Sequence, residues 1–295
     1  ARDSGGGMEY VAVRPDNWGF VGKDTGRRFV PFGCNYYDPE TGHWPPRIWS
    51  RFCPDRVRRH FELMQGLGVN VCRVFLNVST FMPKAGELSS EGMKKLDTMI
   101  ALGREHRVRF ILSALNGWEG RARWCTGNAF SDPRRMERED DYLEQICRHY
   151  RGDGTIFAID IKNEPRVSWG RRSAPSEWGG WLRREYAPRD KADEAAIAAY
   201  LKGSEEGTAL PPPKNAAAKD DPVLYAYQRF REWLGARYVR RHGEAVKRGD
   251  PDRLVTVGLV QWSFPLANRP SGYAAVNPQD IADSVDYMSV HFYPI

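Results

Sequence analysis

Glu164 is the first residue whose setting suggests chemistry. It follows Asn163 and precedes Pro165 just beyond an apolar run, Ile156–Ile161. A carboxyl group so placed can give and take a proton, and the amide beside it can bind a hydroxyl group. Similar endings recur along the chain. Val69–Leu76 carries Arg73, Val285–Phe292 leads through His291 to Tyr293 and Pro294, and Val30–Tyr37 closes Asn35-Tyr36-Tyr37-Asp38. Val108–Leu115 is followed by Asn116, Gly117, Trp118 and Glu119, and Leu254–Val260 by Gln261 and Trp262. Arg73 can hold a carboxylate ionised or form a structural ion pair, and His291 can bind an acid or sit satisfied in a core. Tyr36, Trp118, Trp124 and Trp262 offer flat faces for stacking, or ordinary packing. Five of these six ends carry an aromatic ring, a carboxylate or both. A structural core has no need of that; a cleft that stacks sugar rings and acts on them does.

The runs themselves are near-continuous in apolar residues, as expected of strands buried on both faces of a parallel sheet. Helical periodicity lies between them, over Pro54–Leu67, Ser89–His106, Asp132–Tyr150 and Pro222–Lys247. Met93, Leu96, Met99, Ile100 and Gly103 share one face of the second. Strand–helix alternation of this kind predicts α/β architecture, doubly wound or a barrel, with function at the carboxyl ends of the strands. Glu9–Phe29 differs, reading as a small β-hairpin ahead of the first parallel strand, and residues 1–8 as a disordered tail. The fourth and fifth runs are far apart, which marks about 166–221 as a loop insertion. Its aromatic part, Trp169 to Tyr186, is expected to be ordered, and Gly203–Asp221, with three consecutive prolines, mobile.

Composition narrows the class. The 295 residues are 41% hydrophobic and 28% charged, with a net charge of +6. No run approaches the roughly 18 apolar residues of a membrane span. Arg56-Arg58-Arg59, Arg171-Arg172 and Arg240-Arg241 are scattered clusters without interleaved aromatics, so no nucleic-acid partner is indicated. Five cysteines lack any C-x-x-C pair; Cys34 and Cys72 read as buried thiols, while Cys53 and Cys125 could pair. Nucleotide-binding glycine loops, G-x-S-x-G and H-E-x-x-H are absent, and the six histidines are dispersed.

The stretch Thr155 to Pro165, ending Asn163-Glu164-Pro165, resembles the strand-four signature of clan A glycoside hydrolases, retaining enzymes on a (β/α)8 TIM barrel. Arg73, His291-x-Tyr293-Pro294 and the opening Phe32-Gly33-x-Asn35-Tyr36 resemble other strand ends of that clan. The likeness is greatest to family 5 enzymes acting on β-mannans and β-glucans; Trp178–Tyr186 also resembles β-galactosidases of the clan. It implies a barrel over residues 9–295 of which six of eight β/α units are present. Glu164 would then be the general acid/base, and Asn163 a donor to the sugar 2-hydroxyl. Arg73 would orient the nucleophilic carboxylate. His291 and Tyr293 would line the cleft, and Tyr36, Trp118, Trp124 and Trp262 would be platforms. No cofactor is implied.

Retaining hydrolysis needs two carboxyl groups about 5–5.5 Å apart. The clan places its nucleophile at strand seven, and the sequence stops after the sixth run; Asp38 and Glu119 do not match that position. The expectation is therefore a truncated β-glycosidase, best matched to β-1,4-mannan and inactive as this fragment. A carbohydrate-binding barrel without a nucleophile, or a β-galactosidase or β-glucanase of the clan, remains open. Polymeric substrate would imply secretion.

Overall fold

The computed structural model describes residues 7–42, 47–117, 122–170, 177–205, 210–213, 221–264 and 272–293. Parallel strands β4 (Gly33–Asn35), β5 (Val71–Asn77), β6 (Arg109–Asn116), β7 (Ile156–Asn163), β8 (Leu254–Val260) and β9 (Ser289–His291) form one sheet. Their order in space is their order in sequence. A doubly wound sheet reverses direction at a switch point, whereas a barrel does not. The sheet also curls: its two edge strands, β4 and β9, contribute Asn35 and His291 to one cleft of about 350 Å³, together with Arg73 of β5. These are six consecutive steps of a (β/α)8 barrel.

The central strands are apolar along their length because both faces are covered; β8 is buried at every position. Helices α1 (Arg47–Ser50), α2 (Pro54–Gly66), α3 (Val78–Phe81), α4 (Ser90–Glu105), α5 (Pro133–His149), α6 (Glu177–Arg184), α7 (Lys191–Leu201), α8 (Pro222–Gly249) and α9 (Pro278–Ile281) lie between these strands in sequence. The three longest begin where the sequence supplies caps. Ser89 accepts from the Gly92 amide at 3.1 Å, and Asp132 and Asp221 accept from first-turn amides ahead of α5 and α8. Among the described residues no helix is long and apolar enough to cross a membrane.

Edges explain where expectation and structure part. The run Val30–Tyr37 pairs only over Gly33–Asn35, and Val285–Phe292 only over Ser289–His291. Cys34, expected to be buried, is exposed because β4 has a neighbour on one side alone; Cys72, on β5, is buried. Cys53 and Cys125 do not pair, and all five cysteines are free thiols.

Glu9–Phe29 forms three antiparallel strands rather than two: β1 (Val11–Val13), β2 (Phe20–Gly22) and β3 (Arg28–Phe29). They close the amino-terminal end of the barrel. Phe20 and Phe29 pack on Phe157, the second residue of β7, at ring distances of 5.1 and 5.7 Å. Arg109, opening β6, donates to the Glu9 carbonyl at 2.7 Å. Capping this end leaves the opposite end for chemistry.

Within the stretch after β7, α6 buries Trp178 and Trp181 against Tyr227 and Phe230 of α8. Asp190 caps α7. Neither helix was expected from the sequence. Most of the proposed tail (1–6) and much of the expected mobile segment (206–209, 214–220) lie outside the described residues, as do Trp118, Glu119 and Pro294.

Candidate active site

At the carboxyl end of β7 the chain turns sharply. Glu164 adopts φ +48°, a left-handed conformation costing a non-glycine residue about 1–2 kcal/mol. Its amide donates to the Gly258 carbonyl of β8 at 2.8 Å, which holds the strained turn against the next strand. The side chain is then met from the edge strand β9 and the segment after it. Tyr293 donates its hydroxyl to Glu164 Oε1 at 2.8 Å, and His291 Nδ1 lies 2.9 Å from the same oxygen. Among the described residues Oε2 has no hydrogen-bond partner, and the side chain keeps 29% of its surface exposed. One oxygen is thus fixed and the other is left open. Donation to Glu164 raises the Tyr293 phenol above its usual pKa, so that hydroxyl stays protonated as a donor. Gln261 sets Tyr293 in place, its Oε1 accepting from the Tyr293 amide at 3.1 Å.

Inside the barrel mouth Arg73 of β5 is the hub. Its Nε donates to Asp160 Oδ2 at 3.0 Å and its Nη2 donates to that oxygen too. Nη2 also reaches Asn163 Oδ1 at 3.0 Å, and Nη1 reaches Asn35 Oδ1 at 3.3 Å. The guanidinium lies 4.5 Å over the Phe75 ring, and Tyr37 stacks on that ring at 6.1 Å and 8°. Arg73, described above as paired with an absent nucleophile, therefore has a carboxylate partner, Asp160. Asp160 is 1% exposed, and its other oxygen accepts from the Gly258 amide at 2.8 Å. With both oxygens engaged it is a poor nucleophile.

Gly258 is where four of these groups, Glu164, Asp160, His291 and Arg73, converge. A Cβ there would stand 2.7 Å from His291 Nε2 and 2.9 Å from Arg73 Nη2. Gly258→Ala is expected to displace both side chains, lowering turnover at least tenfold while changing unfolding free energy by no more than about 1–3 kcal/mol. Steady-state kinetics beside urea titration would check this; unchanged kcat/KM would mean that the close approach does not matter.

The structure sorts the expected platforms. Tyr36 is buried, its hydroxyl 2.9 Å from His60 Nδ1 and its ring 5.5 Å from Phe61, so it belongs to the core and not to the cleft. Trp124 is likewise buried, donating its indole N–H to the Met82 carbonyl at 2.7 Å. Trp262 is exposed, at the carboxyl end of β8. Tyr37 is exposed as well, and the sequence reading chose its neighbour instead. Asp38 is structural: it is buried and binds Arg56 Nε at 2.6 Å.

Beside Asn163 lies a second cavity, of about 200 Å³, bordered by Asn116, Lys162, Arg135 and Glu139. Glu139 and Asp140 of α5 meet His242 of α8 behind it. His242 Nδ1 is 2.7 Å from Asp140 Oδ1, and its Nε2 is 3.3 Å from Glu139 Oε2. Burial alone would lower the imidazole pKa, but the two carboxylates outweigh it and raise it above the usual value.

Among known proteins, a putative mannan endo-1,4-β-mannosidase of Oryza sativa subsp. japonica is 26% identical over 196 residues, which are 55% of this chain and 37% of that protein. This chain thus spans under half the length of that relative. The β-galactosidase of Rahnella sp. R3 superposes with a TM-score of 0.67 at 17% identity, covering 90% of this chain and 40% of that one. GH5_18 of Streptomyces cattleya, solved with GlcNAc, gives a TM-score of 0.60 at 18% identity, covering 90% and 52%. These structural likenesses establish a shared barrel fold. The model of the glycoside hydrolase 42 family, described as beta-galactosidase, matches residues 113–295, from β6 through Glu164 to the end of the chain. That match covers well over half of the sequence, and the chain belongs to this glycoside hydrolase family.

Proposed function

We propose that this protein is a β-glycosidase in which Glu164 is the general acid/base. The observation that carries the reading is the asymmetric carboxyl: Tyr293 and His291 hold Oε1 while Oε2 has no partner among the described residues. A glycosidic oxygen is a poor leaving group unless protonated as its bond breaks, and general acid catalysis contributes about 10²–10⁴-fold. Asn163 adjoins that carboxyl and offers its amide to the sugar. Trp262 and Tyr37 offer exposed rings for stacking against its apolar face.

In this reading a second carboxylate, the nucleophile, is contributed from outside the described residues. Asp160 is the carboxylate tied into the Arg73 network, and it is fully engaged. Two substrate classes have support: mannosidase is in the name of the curated relative, and galactosidase in the family description. We place β-1,4-linked mannosides first, since the curated sequence relatives agree on them. A polymeric substrate of that kind would place the protein outside the cell. Initial rates on β-1,4-mannotetraose and on an aryl β-galactoside test the choice. Faster cleavage of the mannoside supports it, faster cleavage of the galactoside reverses it, and cleavage of neither by the full-length protein refutes the glycosidase reading.

A further inference from the structure

Asp160 interrupts the apolar run of β7 and is nearly inaccessible, yet it points into the barrel mouth beneath the site. A buried carboxylate is costly unless paired, so its place needs a reason. Its two oxygens are divided between two tasks. Oδ2 grips Arg73 through Nε and Nη2, while Oδ1 accepts from the Gly258 amide. Both recipients lead to the reacting end of the strand. The Gly258 carbonyl receives the Glu164 amide at 2.8 Å. Arg73 Nη2 donates to Asn163 Oδ1 at 3.0 Å.

That last bond settles the orientation of an amide. An arginine can only donate, so the atom of Asn163 facing it is the oxygen. The amide nitrogen must then face away from Arg73, and among the described residues it has no acceptor. Asn163 therefore presents N–H groups, not a carbonyl, beside Glu164. If Glu164 serves the oxygen on the anomeric carbon, the sugar hydroxyl within reach of the preceding residue is the one on the adjacent carbon, the 2-hydroxyl.

We propose that Asp160 is a positioning residue: by fixing Arg73 it locks the Asn163 amide as a donor to the sugar 2-hydroxyl. The inference rests on the glycosidase reading above and goes beyond it by giving a role to a residue that touches no substrate. With Asp160 neutral, Arg73 loses its charged partner and is free to leave Asn163, whose amide can then flip and oppose the hydroxyl.

The test compares a β-glycoside with its 2-deoxy counterpart on wild type and Asp160→Asn. A positioning role predicts that kcat/KM on the 2-hydroxy substrate falls about tenfold, the effect of losing one neutral hydrogen bond. The 2-deoxy substrate, which has no hydroxyl to lose, should change by no more than about twofold. A general structural role would depress both alike, and equal losses overturn the proposal. Should Asp160→Asn fail to fold, Arg73→Lys keeps the charge, loses the fork and should show the same selective loss. Glu164→Gln in parallel separates the two claims. If it too leaves both rates intact, the glycosidase reading fails; if it abolishes turnover while Asp160→Asn and Arg73→Lys show no selectivity, only the positioning role fails.

Discussion

Glu164→Gln is expected to lower kcat on unactivated β-glycosides by about 10²–10⁴-fold, the usual contribution of a general acid. Glutamine preserves shape, the strained φ of +48° and an oxygen able to accept from Tyr293. What it lacks is the transferable proton on the free side of the group. The loss should therefore depend on the leaving group. A dinitrophenyl glycoside departs without protonation, so its bond-breaking step should be affected far less than that of a mannooligosaccharide. A plot of log kcat/KM against leaving-group pKa would be shallow for wild type and steep for the variant. Equal losses across the series would assign Glu164 to binding instead. The backbone adds an independent check: Glu164→Gly should be inactive yet no less stable than Glu164→Ala, because glycine relieves a left-handed conformation worth about 1–2 kcal/mol.

His242→Leu is expected to be the most destabilising substitution between α5 and α8, by about 3–5 kcal/mol in urea unfolding near pH 6. The ring is fully buried with a carboxylate at each nitrogen. Nε2 and Glu139 Oε2 lie 3.3 Å apart and neither has a hydrogen-bond partner among the described residues, so the charge on the doubly protonated ring is what answers both carboxylates. The surroundings supply balancing charge. Arg135 binds Glu139, Arg241 binds Asp140, Lys162 of β7 acts on Glu139 from the strand side, and Tyr238 packs against the ring at 4.2 Å. The folded pKa is raised from 6.5, so the imidazolium binds its proton more tightly in the folded chain than in the unfolded one. Its stabilisation is full below about pH 6.5 and is lost as pH rises through the raised folded value. Wild type should lose stability across that interval, whereas His242→Leu, lower throughout, should show no such fall. Parallel pH dependences would remove His242 from the account. Because Glu139 and Arg135 border the cavity beside Asn163, this contact also braces one wall of the site.

How much of this was legible in the sequence depended on burial. Leu254–Val260 was read with the bounds it has in the structure, since a strand covered on both faces leaves an uninterrupted apolar run. Val30–Tyr37 was read too long because an apolar run does not reveal that its strand lies at an edge, where pairing stops early. At the site, Arg73 is hydrogen-bonded to Asn163, and His291 and Tyr293 to Glu164 next to it, each visible as a polar residue in or just after an apolar run. Their partners were not. Asp160 carried a signal, an acid inside an apolar strand, but its cation lies 87 residues away in sequence. Tyr36 was chosen over Tyr37 because both are tyrosines at a strand end; successive residues face opposite ways, and only the fold says which side is the cleft. Trp124 was misread for a similar reason, its indole N–H being spent on a core carbonyl. α7 escaped notice because its alanine-rich sequence has helix propensity without an apolar stripe, burying only Asp193 and Ile197.

The most direct test of Glu164 as the acid/base is a crystal structure of Glu164→Gln with β-1,4-mannotriose bound. The account predicts a glycosidic oxygen about 2.6–3.2 Å from the side chain at position 164, with the adjacent 2-hydroxyl accepting from Asn163. A well-ordered sugar whose glycosidic oxygens all lie beyond hydrogen-bonding reach of that side chain, for example one held only in the cavity beside Lys162 and Arg135, would contradict it.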